Sequence, residues 1–151
     1  MRNVRIEQLK SDFEILDDWQ DRYRHIIELG RELPPLDESL RVPANKVAGC
    51  ASQVWLASSA SGPADNPVLH FSGDSDALIV KGLIAIAFML FADRPAREIL
   101  ATDASEVLAG LGLTGHLTPQ RSNGFAAMIR RIKSDASAAL QGASAGGMAG
   151  R

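Results

Sequence analysis

Gln53-Val54-Trp55-Leu56-Ala57-Ser58-Ser59-Ala60-Ser61-Gly62-Pro63-Ala64-Asp65-Asn66-Pro67-Val68-Leu69-His70-Phe71-Ser72 is the stretch that decides the fold class. Its two ends, Gln53 to Ser59 and Val68 to Ser72, are short runs rich in Val, Trp, Leu and Phe, as strands are. Between them, Ser61 to Pro67 is dense in residues that favour turns, so the two runs read as an antiparallel hairpin. Leu40 to Val42, just before Pro43, is a third candidate strand.

Outward from the hairpin the pattern becomes helical. Towards the N-terminus, Leu9, Phe13 and Leu16 recur at helical spacing, as do Trp19, Tyr23, Ile26 and Ile27. Asp17-Asp18 between the two groups is a potential cap, and the segments read either as two helices or as one. Gly30 and then Pro34-Pro35 end this helical region. On the other side, a helix is expected from about Asp76 to Phe91, capped by Ser75 or Asp74. Asp93 followed by Pro95 suits the start of a short helix. Asp103 with Glu106 three residues on resembles a capping box, and Gly112 closes that helix. A last helix is expected from Thr118 or Pro119 to Leu140, turning Phe125, Met128, Ile129 and Ile132 inward. The expectation is an α+β domain over residues 1–140, a small antiparallel sheet of about three strands packed against several helices. Residues 141–151 are Gly, Ala and Ser with little to bury, and are expected to be a disordered tail.

Composition limits the function. At 151 residues the chain suits one domain. Apolar residues are 46% and charged residues 23%, with a formal net charge of −2 and a pI of about 5.9. A broad phosphate-binding face is not expected from that balance, so nucleic acid is not an expected partner. The basic cluster Arg130, Arg131 and Lys133 reads as a solvated helix face. Ala77 to Ala92 holds 14 apolar residues in 16. It is shorter than the roughly 20 residues of a spanning helix and reads as a buried central helix, with no membrane role. Charges near Met1 occupy the place of a signal peptide's apolar run. With one cysteine there is no internal disulfide, and a cytoplasmic location is expected.

Cys50 sits in Val47-Ala48-Gly49-Cys50-Ala51-Ser52-Gln53, small residues just before a strand, where a loop is expected. Gly49 permits unusual backbone angles and leaves the sulfur uncrowded. Lys46 is close enough in sequence to favour the thiolate. From these residues alone, Cys50 reads either as a reactive thiol or as a small buried hydrophobe. A thiol hydrolase would need a histidine beside it, and His25, His70 and His116 carry no local signature for that role. His70 alternates with Leu69 and Phe71 as a strand-face residue does, while His116 occupies a connecting loop. No close ligand pair for a metal and no Gly-rich phosphate loop is visible. Arg121 is placed near the start of the last helix, where a cation opposes the helix dipole, and Asn123-Gly124 beside it are poor helix formers. Such local rule-breaking accompanies functional sites, here as a small anion site or, equally, as a surface ion pair.

Four segments together resemble the SufE-like proteins of sulfur mobilisation. Lys46 to Leu56 is similar to that family's cysteine loop running into its strand. Asp74 to Leu83 resembles the approach to its central helix, His116 to Gly124 its late loop and helix start, and Leu29 to Leu36 a further matching segment. The match spans roughly Leu9 to Ile132. It implies a fold like that of IscU-type scaffolds, with the cysteine at a loop tip. It implies Cys50 as the residue that forms a persulfide, with Gly49, Lys46, Arg121, Asp74 and His116 as supporting residues. A pyridoxal-phosphate cysteine desulfurase of the SufS or CsdA type is the implied donor, its cofactor remaining on that partner. A SufBCD-type scaffold, or another sulfur acceptor, is the implied recipient.

The expected function is therefore a persulfide carrier for iron–sulfur cluster assembly, acting with a desulfurase and stimulating it rather than working as a stand-alone enzyme. A lone cysteine suits a carrier, since it cannot discharge its own persulfide into an internal disulfide. It does not suit a cluster scaffold, which needs about three or four ligands. The alternatives are an activator that docks on the desulfurase without holding sulfur, and a cysteine-dependent hydrolase.

Overall fold

A computed structural model describes residues 3–142. The tail expected at residues 141–151 lies almost wholly outside them. Within them the order is α1 (Val4–Ile15), α2 (Trp19–Arg31), β1 (Val54–Ser61), β2 (Val68–Ser75), α3 (Leu78–Phe91), β3 (Arg94–Pro95), α4 (Ala96–Ala101), α5 (Ala104–Gly110) and α6 (Pro119–Leu140), with short 3-10 turns at Glu38–Leu40 and Pro43–Asn45. This is the α+β architecture expected.

Asp18 separates α1 from α2. Its carboxylate accepts from the Gln20 N–H, satisfying one of the amides that a helix start leaves without a partner. The apolar run becomes α3, starting at Leu78 rather than Asp76. Ala77 is its N-cap and makes no side-chain capping bond. Ser75 Oγ instead accepts from the Ala77 N–H at 3.2 Å, one step outside the helix. Twelve of the residues of α3 are buried, so it forms the centre of the core. α2 crosses it backbone to backbone. A Cβ on Gly30 would stand 2.6 Å from Gly82 N, and one on Gly82 would stand 2.2 Å from Ile26 O. Gly30 is thus inside α2, which runs on to Arg31, and its work is close approach rather than termination. Among the described residues no helix is long and apolar enough to cross a membrane.

The sheet has the order β1-β2-β3 and is antiparallel throughout. β1 pairs with β2 from Val54 opposite Ser75 to Ser61 opposite Val68. The third strand is Arg94–Pro95, not Leu40 to Val42. Leu40 closes a 3-10 turn, and Arg41 swings its guanidinium to Glu38 and Asp74. The short apolar run before Pro43 therefore lacks a strand to pair with. Pro95 fits at the sheet edge, where a missing N–H costs nothing.

α6 begins with Thr118 as its cap and Pro119 in its first turn, and runs to Leu140. Phe125, Met128 and Ile132 are buried and Ile129 packs beside them. Asp135, buried on the same helix, accepts from Ser58 Oγ at 2.9 Å and pairs with Arg131 at 3.3 Å. Arg131 also donates to the Ala44 carbonyl at 3.1 Å. A buried carboxylate needs such partners, and these tie α6 to β1 and to the segment ahead of the cysteine loop. The basic cluster is therefore not a uniform solvated face. Arg131 and Lys133 turn back onto the protein, Lys133 donating to the Thr102 carbonyl at 2.6 Å, and Arg130 remains exposed.

Candidate functional site

The loop that carries Cys50 is pinched at its base. Val47 N–H donates to the Val54 carbonyl at 2.9 Å, and Lys46 bridges to Trp55. Its downstream end is tied to the approach to α3, where Asp76 accepts from the Gln53 N–H at 3.1 Å. Between these anchors Gly49 holds φ at +90°, a left-handed conformation that a side chain resists. That turn lays the loop against α6. A Cβ on Gly49 would stand 3.4 Å from Ala127 Cβ.

Cys50 is half-buried at the loop tip. Its thiol donates to the Gly124 carbonyl on α6 at 3.5 Å. Burial pushes the Cys50 thiol above its ordinary value of 9.0, and the Arg130 guanidinium partly offsets this. The bond to Gly124 acts with burial, since a thiolate has no proton to donate. The resting form is therefore the protonated, muted thiol.

Beside the sulfur is a cavity of about 140 Å³. Ile79, Val80, Leu83 and Met128 give it an apolar wall, and Gln120, Arg121 and Gly124 line it from the start of α6. Cys50 and Arg121, far apart in sequence, thus line one cavity. The loop residues from Lys46 to Val54, Cys50 among them, line a second, open hollow of about 400 Å³. Cys50 lines both.

The other expected residues sit elsewhere. Asp74, at the end of β2, pairs with Arg41, lies 3.4 Å from Lys81, and accepts from the Ser75 N–H at 2.8 Å. Burial pushes its carboxyl up, but the Arg41 bond, the Ser75 amide and Lys81 outweigh it and hold it below 3.8. Arg41 also stacks over the Trp55 ring, 5.0 Å from its centroid, with the Lys46 ammonium at 6.0 Å. These four residues brace the base of the cysteine loop. The cation acting on Cys50 is Arg130, while Lys46 rests on Trp55. His116 does not line the sulfur's cavity. Its ring stacks on Trp19 with centroids 3.8 Å apart, its Nδ1 contacts the Gly112 carbonyl, and Tyr23 donates to its carbonyl. That pins the α5–α6 connection onto α2. Among the described residues no group of three or more His, Cys, Asp or Glu side chains is placed to hold a metal.

Residues that the sequence does not single out also form the site. Gly124 reads there only as a poor helix former, and Met128 only as core. Arg130 carries no local signal, since its distance from Cys50 depends on how α6 docks.

Comparison with known proteins bears on this arrangement. The family model described as SufE, Fe-S metabolism associated domain, matches residues 7–136. An uncharacterized SufE-like protein of Rhizobium etli is 52% identical over 131 residues, covering 87% of this chain and 88% of the relative. A second uncharacterized SufE-like protein, from Rhizobium meliloti, is 50% identical over 135 residues, covering 89% and 96%. The solution structure of a hypothetical protein from Thermus thermophilus has the same fold, with a TM-score of 0.73 at 18% identity over 93% of this chain and 99% of that one.

Proposed function

The chain belongs to the SufE family, and from that premise we propose that it is a persulfide carrier: Cys50 takes sulfur from a cysteine desulfurase, stimulates that enzyme by removing its product, and passes the sulfur on for iron–sulfur cluster assembly. The observation that carries this reading is the placement of Cys50. The chain's one cysteine stands in a loop and lines two hollows, with Arg121 on the wall of one. A terminal sulfur needs room beside Cys50, and the apolar wall of Ile79, Val80, Leu83 and Met128 would keep water from it.

The chemistry is an exchange at sulfur. The Cys50 thiolate attacks the outer sulfur of the donor's persulfide, the donor's S–S bond breaks, and its cysteine leaves as a thiolate. A new S–S bond forms on Cys50 and the terminal sulfur keeps its oxidation level. The same exchange then serves delivery, when an acceptor thiolate attacks that terminal sulfur and Cys50 leaves as a thiolate. Arg121 favours the anionic persulfide through its charge. The donor is a SufS- or CsdA-type enzyme that holds the pyridoxal phosphate, and the recipient is a SufBCD-type scaffold or another acceptor.

Intact-mass measurement after incubation with a desulfurase, free cysteine and pyridoxal phosphate tests this. One added sulfur is expected, and none on Cys50→Ser. Full stimulation of the desulfurase by Cys50→Ser would replace the carrier with a docking activator.

A further inference from the structure

Away from Cys50, three side chains from separate segments form a linear relay. Ser61 Oγ lies 2.7 Å from His70 Nε2, and His70 Nδ1 lies 2.7 Å from Asp93 Oδ1. We propose that Ser61, His70 and Asp93 form a nucleophilic serine site that accepts small acyl groups from activated esters, independent of the sulfur chemistry of Cys50.

The placement follows from the hairpin register. Ser61 is opposite Val68, and His70 is opposite Ser59. Residues two apart share a face of a strand, so Ser61 and His70 are diagonal neighbours on one face, within reach of a long side chain. Asp93 arrives from the end of α3. Its N–H donates to the Leu69 carbonyl at 2.8 Å, which seats it beside His70. It does so with φ at +61°, the sole described residue other than glycine in the left-handed region. Asp tolerates that region better than most residues but still pays for it. Backbone strain of this kind concentrates at sites where a side chain must be aimed.

The hydrogen-bond roles are fixed by elimination. A carboxylate oxygen only accepts, so Nδ1 must carry the proton that faces Asp93. In the neutral ring Nε2 is then the acceptor, and the Ser61 hydroxyl donates to it. That is the tautomer in which imidazole can take the serine proton. A nucleophile, a base and a group that orients the base are present in the order that acyl transfer requires, and such sets are recognised by geometry and role rather than by fold. Ser61 is exposed, just ahead of Gly62, whose φ of +84° turns the chain away from it. The His70 side chain is 43% exposed and that of Asp93 75%. Water is not excluded, so the site suits small donors with good leaving groups.

The step balances without a further reagent. Ser61 Oγ adds to the carbonyl carbon of an aryl ester while its proton moves to His70 Nε2. The adduct collapses, the bond from carbon to the aryl oxygen breaks, and that oxygen takes the proton from Nε2. The products are acyl-Ser61 and a free phenol.

The test uses the full chain as Cys50→Ser, which removes the competing thiol, with p-nitrophenyl acetate as the probe. One acetyl group should appear by intact mass and map to Ser61. Ser61→Ala should abolish it, and His70→Gln should slow it by about 10²-fold, the lower range for general-base help. Asp93→Asn keeps a residue that tolerates the left-handed turn, yet should slow acylation at least about tenfold by releasing the tautomer. Equal total acetylation in all three variants, with label on amines only, overturns the proposal. So does label on Ser61 whose rate ignores His70→Gln and Asp93→Asn.

Discussion

The sulfur of Cys50 sits 3.5 Å from the backbone carbonyl of Gly124, so the thiol rests on the early turns of α6 instead of pointing into solvent. A side chain at 124 would share that space. A Cβ built there stands 3.6 Å from the sulfur and 3.9 Å from Cys50 Cβ, ordinary contacts that need no movement. Gly124→Ala should therefore fold, and should gain up to about 1 kcal/mol from the better helix former. The new methyl would take room beside Cys50 that a terminal sulfur needs. Sulfur loading by a desulfurase should fall severalfold while the thermal midpoint holds or rises. Unchanged loading would mean that the outer sulfur points the other way, into the hollow lined by the loop.

Arg130 opposes burial at Cys50, and its removal should make the thiol less acidic. Burial holds the folded thiol above 9.0, so thiol protonation favours the native state below that pH, and the benefit is lost as pH rises towards the folded value. Alkylation of the native protein should accordingly climb at more alkaline pH than for a peptide thiol. Arg130→Gln should move the profile further in that direction and slow alkylation at any fixed pH below it. A profile that does not respond to Arg130→Gln would remove this charge from the site.

Much of this arrangement is legible in the sequence, for physical reasons that differ by residue. The hairpin is legible because its turn residues and apolar runs are local signals. α6 is legible because Thr118-Pro119 and the spacing of Phe125, Met128 and Ile132 are local too. β3 is not, because Arg94–Pro95 forms a strand only by lying along Val68 and Leu69. Leu40 to Val42 misleads because strand propensity without a partner strand decides little. At the site, Arg121 breaks a local pattern, while Cys50 is ambiguous from its neighbours alone and is singled out by the family resemblance. That they line one cavity depends on how α6 packs against the loop, and the same docking brings Arg130 into range.

Asp74 gives the base of the cysteine loop an acid-sensitive brace. Its carboxyl is held below 3.8 by the Arg41 bond, the Ser75 amide and Lys81, against the opposing effect of burial. A depressed carboxyl contributes stability above the unfolded value, and that contribution is lost as pH falls through the folded one. Asp74→Asn should lower stability at neutral pH and show a flatter decline than the parent below about pH 4. Parallel acid-unfolding curves for the two proteins would contradict this.

Arg121 shares the cavity of Cys50, and the Thr118 hydroxyl accepts from its backbone N–H at 3.2 Å, within the cap of α6. Its side chain is exposed, so Arg121→Ala should cost little stability, within about 0.5 kcal/mol. Sulfur transfer from the desulfurase should nevertheless slow, because the charge that favours an anionic persulfide is gone. Arg121→Lys should recover part of the rate, since it restores the charge without the planar fork. Equal transfer rates for Arg121→Ala and the parent would leave this residue a cavity wall and no more.

A carrier faces conflicting demands, because its sulfur must be reachable by a large donor yet protected when alone. The loop from Val47 to Val54 has the anatomy to meet both. Its ends are fixed by the Val47–Val54 bond and the Asp76 contact, while Ala48, Gly49 and Ala51 between them are exposed and small. Cys50 is held inward by one weak thiol contact to Gly124 and by apolar burial, which a modest rearrangement can undo. The free protein should therefore react slowly with alkylating reagents, as a half-buried thiol of raised pKa does. A partner can draw the sulfur out only by binding the outward form better than the inward one. Adding a desulfurase without its catalytic cysteine should thus speed alkylation of Cys50 at constant pH, with no sulfur transfer to confuse the result. Gly49→Ala should blunt that acceleration, since a side chain resists φ of +90°. If free Cys50 is alkylated as fast as an unstructured peptide thiol, the loop provides no shelter, and protection must come from the complex with the donor.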